Sequence, residues 1–147
     1  MQAALESDEL QWRLSVEGYA FEDADVAEDA DVLDATLVVV TGRLGGVRAD
    51  FGVDAAASDV RRLLDGLRDS LASGSGEVVV GAESDDFSLR IMAPGRDDLE
   101  PEGWLVSGHV GWDASAVCRF SERRVTDAQV RAFTQALTRV CRAFPPR

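Results

Sequence analysis

The 147-residue chain holds one histidine, His109, and two cysteines, Cys118 and Cys141. A single imidazole builds no histidine-based metal cluster unless carboxylates or thiolates join it, and no His-x-x-Glu-His spacing or its relatives occurs. The cysteines lie outside any Cys-x-x-Cys motif and read as buried free thiols, because unpaired Cys behaves as a small hydrophobe. Paired acids are plentiful: Asp23 with Asp25, Asp29 with Asp31, Asp85 with Asp86, Asp97 with Asp98. Carboxylate catalysis needs two acids across a cleft, one desolvated enough to keep its proton. These pairs fall in polar turns, where water keeps them ionised. The run from Asp23 to Asp31 lacks the glycine and closing glutamate of an EF-hand loop. With no lysine in the chain, Schiff-base chemistry and a phosphate-loop lysine are excluded. No catalytic residue, metal or cofactor is expected.

Charge and aromatic side chains remain. The formal charge is −12, and it is unevenly spread: residues 1–36 carry a net −10, residues 37–118 a net −7, and residues 119–147 a net +5. Such asymmetry speaks to partners and association rates rather than to fold. An acidic chain is a poor partner for nucleic acid, whose phosphates are bound by net positive surfaces. A basic protein partner would be drawn to the first third, so Asp23, Asp25, Asp29 and Asp31 are the candidate contacts. Trp12, Trp104 and Trp112 all fall on apolar strand faces and read first as core. Trp104 and Trp112, near strand ends, are also candidate interface anchors, Trp being a residue type enriched at binding hot spots. The arginines of residues 119–142 either rim such an interface or solvate a helix.

The elements that would position these groups follow from periodicity. Gln11 to Glu17 alternates, with Trp12, Leu14 and Val16 on one face, and Gly18 marks a bulge or strand end. Residues 22–34 form an acidic loop, long enough to suggest a functional segment. Leu33 to Thr41 is a strand apolar on both faces and therefore central. Leu44 to Val47 is a two-residue Gly-Gly hairpin turn returning along Val47 to Val53. Val60, Leu63, Leu64, Leu67 and Leu71 make the apolar stripe of a helix over Ser58 to Ser73, ended by Gly74 as a left-handed cap.

The second half repeats the plan. Glu77 to Glu83, Phe87 to Met92, Trp104 to Trp112 and Ala116 to Arg123 are strands. In the last hairpin, pairing Trp112 with Ala116, Val110 with Cys118 and Gly108 with Phe120 gives one wholly apolar face. His109 then lies beside Arg119 and Ser107 beside Ser121, so His109 reads as a surface or rim residue pointing away from Cys118. Thr126 and Gln129 form a capping box before a final helix, stopped by Pro145 and Pro146. The expected fold is a single α+β domain over residues 1–147. It has a mainly antiparallel sheet of about seven strands with two helices on one face, in the order β-β-β-α-β-β-β-β-α. The other sheet face is expected to be open, or covered by the acidic loop or a partner.

No apolar run approaches the ~20 residues of a membrane span, and residues 1–8 lack the basic and apolar regions of a signal peptide. A cytoplasmic protein without a membrane partner is expected. The absence of Lys and Asn, with Ile91 the single isoleucine, suggests a GC-rich bacterial genome.

Three features together carry a resemblance: the segment Asp31 to Val40, the amphipathic helix Ser58 to Ser73 after its hairpin, and the short strand Phe87 to Met92. From Leu33 onward, over about three-quarters of the chain, the sequence resembles a group of small actinobacterial proteins related to the WapI-type immunity proteins of polymorphic toxin systems. The resemblance implies a cytoplasmic, non-enzymatic inhibitor of a toxin domain, and it brings no catalytic residues. The acidic first third would suit a basic nuclease toxin. A second reading is a small-molecule-binding or enzymatic domain whose open sheet face forms a pocket lined by His109, Arg119 and Arg90. A third is a structural homo-oligomer paired through that face.

Overall fold

The computed structural model describes residues 1–21, 25, 27–42, 47–81, 86–95, 103–111 and 118–147. The elements are β1 (Gln2–Glu6), β2 (Leu10–Tyr19), α1 (Ala27–Ala30), β3 (Val32–Thr41), β4 (Arg48–Ala56), α2 (Ala57–Ser73), β5 (Glu77–Val80), β6 (Phe87–Met92), β7 (Trp104–Val110), β8 (Cys118–Val125) and α3 (Asp127–Ala143).

The α+β class stands, but the expected single sheet of about seven strands does not. Eight described strands form two antiparallel sheets of four, β1-β2-β3-β4 and β5-β6-β7-β8, each followed in sequence by a long helix. The cause is α2, which carries the chain off the first sheet after β4, so β4 and β5 become edges of different sheets. β1 escaped the sequence reading because its five residues carry only two inward side chains, Ala3 and Leu5, too short a run for alternation to register. The expected acidic loop contains the single-turn helix α1. The Gly-Gly turn and the Trp112–Ala116 pair lie outside the described residues.

The inward faces meet in one core. Trp12, Leu14 and Val16 of β2 lie opposite Val39, Leu37 and Ala35 of β3, and all are buried. In the second sheet Leu89, Ile91, Val106 and Val110 do the same. Trp12 joins the parts: its ring lies edge-on to Phe133 of α3 at 5.7 Å and 6.5 Å from Phe87 of β6. Burial on this scale is the main stabilising term. Cys118 and Cys141 are buried and unpaired; desolvation raises both thiols above their ordinary value, which leaves them inert.

The bulge expected at Gly18 is present, between Val16 and Gly18. A second bulge corrects the last hairpin. Val110 faces Cys118, Gly108 faces Phe120 and His109 faces Arg119, as the pattern required, but Val106 faces Arg123. Ser121 and Glu122 therefore both oppose Ser107, and the expected Ser107–Ser121 pair gives way. Glu122 absorbs the extra residue with a left-handed φ of 52°.

Gly108 sits where β7 presses on β6. A methyl group there would lie 2.2 Å from the Ser88 carbonyl oxygen and 3.1 Å from the Phe120 ring. Backbone cannot yield as a side-chain tip can, so Gly108→Ala is expected to cost about 1–3 kcal/mol. The check is the urea midpoint; an unchanged midpoint would mean the strands are looser than described.

The helix ends are secured differently. At α3 the Thr126 side chain accepts from the Gln129 N–H at 3.2 Å and the Thr126 N–H donates to Gln129 Oε1 at 2.8 Å, the expected capping box. Gly74 closes α2 with φ 70°, its N–H donating to Ser70 at 2.8 Å. The start of α2 has no such cap, because residue 56 is alanine.

Candidate partner-binding surfaces

That missing cap is supplied by Asp31. The Ser58 N–H donates to Asp31 Oδ2 at 2.9 Å, the Arg147 N–H to Oδ1 at 3.2 Å, and the Ala57 N–H to the Asp31 carbonyl at 2.8 Å. Partial burial pushes the Asp31 carboxyl up, and the bonds from Ser58 and Arg147 outweigh this, leaving it below the ordinary Asp value. Asp31 is thus an α2 cap and a tether for the C-terminal segment, and its carboxylate is occupied within the fold. A depressed folded-state value means the stabilisation is complete above the ordinary Asp value and fades as pH falls through the folded value. Asp31→Ala should therefore cost about 0.5–2 kcal/mol at neutral pH, with the loss shrinking in acid. Thermal unfolding of both proteins from pH 7 to pH 2 checks this; a pH-independent difference would contradict it.

The other expected contacts separate. Asp25 and Asp29 are exposed beside and on α1. Asp23 and Trp112 lie outside the described residues. Trp104 is 1% exposed, with its indole N–H toward Asp127 at 3.4 Å. It is a core residue rather than an exposed anchor.

Strand alternation turns a second set of acids outward on the first sheet. Asp34 of β3 stands directly opposite Asp54 of β4. On the other side of Asp34 its register partner is Gly18 of β2, and Glu17, the extra residue of the β2 bulge, directly precedes that glycine. All three acids are exposed. Like charges directly opposite each other destabilise a sheet, and among the described residues no arginine pairs with any of the three. Farther along the same face Glu6 is neutralised by Arg13 at 2.9 Å, and Asp50 by Arg48 at 3.6 Å. Hydrogen bonds from Gln11 and then Arg13 hold the Glu6 carboxyl below its usual value. The group Glu17–Asp34–Asp54 was missed from sequence because its members come from three strands. Only the register brings them together.

The second sheet's outer face differs in sign. Ser88, Arg90, Ser107, His109, Arg119 and Ser121 line a groove of about 680 Å³. It does gather His109, Arg119 and Arg90. His109 is not at a rim: it is 3% exposed, and Ser88 and Arg119 flank it in register. Its Nδ1 lies 2.7 Å from the Ser88 hydroxyl. Among the described residues no group of three or more His, Cys, Asp or Glu could hold a metal ion, and no helix is long and apolar enough to cross a membrane.

No curated protein and no solved structure matches the chain. Residues 4–145, which include all of the described strands and helices except the first two residues of β1, match the Immunity protein WapI-like family. On that coverage, the chain belongs to the WapI-like immunity protein family.

Proposed function

We propose that the chain is a non-enzymatic cytoplasmic immunity protein that binds and inhibits a toxin domain bearing a basic surface. The docking surface in this reading is the outer face of the first sheet at its Glu17–Asp34–Asp54 end, extended by Asp25 and Asp29. The observation that carries it is the facing pair Asp34 and Asp54. The fold gains nothing from juxtaposing two carboxylates, whereas a basic partner would relieve their repulsion on docking. Complementary charge raises the association rate and rejects acidic partners. Family membership supports the toxin as partner; the charge pattern supports its basic character.

Co-expression with a candidate toxin domain, sought among the genes beside this one, tests the function. Growth should be restored, and the two chains should elute as one complex. Persistent toxicity at equal expression, with no complex, would refute the assignment.

A further inference from the structure

The segment that follows α3 runs to the acidic end of the first sheet. The Tyr19 hydroxyl donates to the Pro145 carbonyl, and the Arg147 N–H donates to Asp31 Oδ1 at 3.2 Å. The Arg147 guanidinium carbon then lies 3.6 Å from the centroid of the Tyr19 ring. Phe144 braces the same ring edge-on at 5.8 Å. Tyr19 is the last residue of β2 and directly follows Gly18, the register partner of Asp34. Asp25, Asp29 and Asp31 lie in the link from β2 to β3. The ring therefore stands where the acids assigned to the partner gather.

Arg147 brings positive charge to a place that has none of its own. Residues 1–36 carry a net −10, and their one base, Arg13, is paired with Glu6. The electron-rich face of an aromatic ring attracts a cation, and a planar guanidinium stacks on it where an ammonium cannot. Phe144 fixes the ring before any partner arrives, which lowers the ordering cost of binding. Pro145, Pro146 and Arg147 are exposed, so little apolar area returns to water when they lift away. A cation–π contact at an exposed site is weak, and it exchanges readily for another of the same chemistry.

We propose that Tyr19 is an arginine seat at the edge of the docking surface, filled by Arg147 in the free chain and yielded to an arginine side chain of the basic partner. The partner rests on the toxin reading above, whereas the seat itself is tested without a toxin.

Tyr19 is the chain's only tyrosine, so its ring signals in a ¹H–¹³C correlation spectrum report on the seat alone. The full chain is titrated with the blocked peptide acetyl-Arg-Gly-Arg-amide, and with acetyl-Lys-Gly-Lys-amide at matched ionic strength. The ring signals should move saturably with the arginine peptide, and the lysine peptide should bind at least about threefold more weakly. Arg147→Gln removes the resident competitor and should tighten the arginine peptide by roughly threefold or more. Arg139→Gln on α3, with the same charge change, should bind it as the wild type does. Both side chains are exposed, so neither change threatens the core. Unmoved ring signals in Arg147→Gln, equal affinity for the two peptides, or equal gains in both variants would overturn the proposal. So would a toxin complex that leaves the Tyr19 signals unmoved. A chain that takes the arginine peptide at Tyr19 but forms no toxin complex would refute the toxin assignment and keep the seat.

Discussion

Replacing Glu17 by Gln and Asp34 and Asp54 by Asn is expected to slow association with the toxin by roughly ten- to a hundredfold at low salt. The wild-type rate should fall steeply as ionic strength rises toward about 0.15 M, where screening shortens the reach of the field to about 8 Å. The triple variant's rate should be nearly flat. Dissociation should change less, because exposed charges act mainly on encounter. The same substitutions carry a second signature. They remove the Asp34–Asp54 repulsion, so the free protein should become more stable by about 0.2–1 kcal/mol. Loss of association rate with gain of stability marks residues kept for a partner. Loss of both would mean the acids serve the fold. Stopped-flow mixing and urea unfolding supply the two readings. Substituting Asp31 confuses this experiment, because its carboxylate caps α2.

The largest expected loss of stability lies at Trp12. The side chain is 1% exposed and touches both halves of the molecule, edge-on to Phe133 and tilted against Phe87. Trp12→Ala removes the ring that fills the junction of two sheets and α3 and should cost about 3–5 kcal/mol. Trp12→Phe should cost well under half of that. The indole Nε1 is buried with no hydrogen-bond partner, and an orphaned donor costs about 1–3 kcal/mol. Phe removes this cost while losing part of the contact area. Far-UV circular dichroism in urea follows unfolding without relying on the tryptophan being replaced. A loss below about 1 kcal/mol for Trp12→Ala would show that the junction collapses around the cavity or that the sheets do not share a core.

Local features were legible in the sequence because each is written within a few neighbouring residues. The Leu63–Leu64–Leu67 stripe, the Thr126–Gln129 box, the Gly74 cap and the Gly18 bulge are of this kind, and all are present. The His109–Arg119 and Val110–Cys118 pairings were also recoverable, since one register alone buries a wholly apolar face. The division into two sheets was not. Hairpin-linked strands announce their neighbours, but nothing periodic in Ala57–Ser73 says whether α2 returns the chain to the same sheet. The candidate surface was legible only in sign. The acidity of the first third is plain in its composition, yet composition does not reveal that Asp31 turns inward to cap a helix while Asp54 of β4 joins Asp34 of β3. His109 was misplaced for a related reason. Alternation gives the side of the sheet, not how deeply a ring on that side is buried.

Carboxyl footprinting of the toxin complex, read by mass spectrometry, tests the docking surface most directly. Glu17, Asp34 and Asp54 should lose labelling on complex formation, while Asp59, Asp65 and Asp69 on α2 should label as in the free chain. Unchanged labelling of the three sheet acids in a complex that still inhibits the toxin would contradict the account.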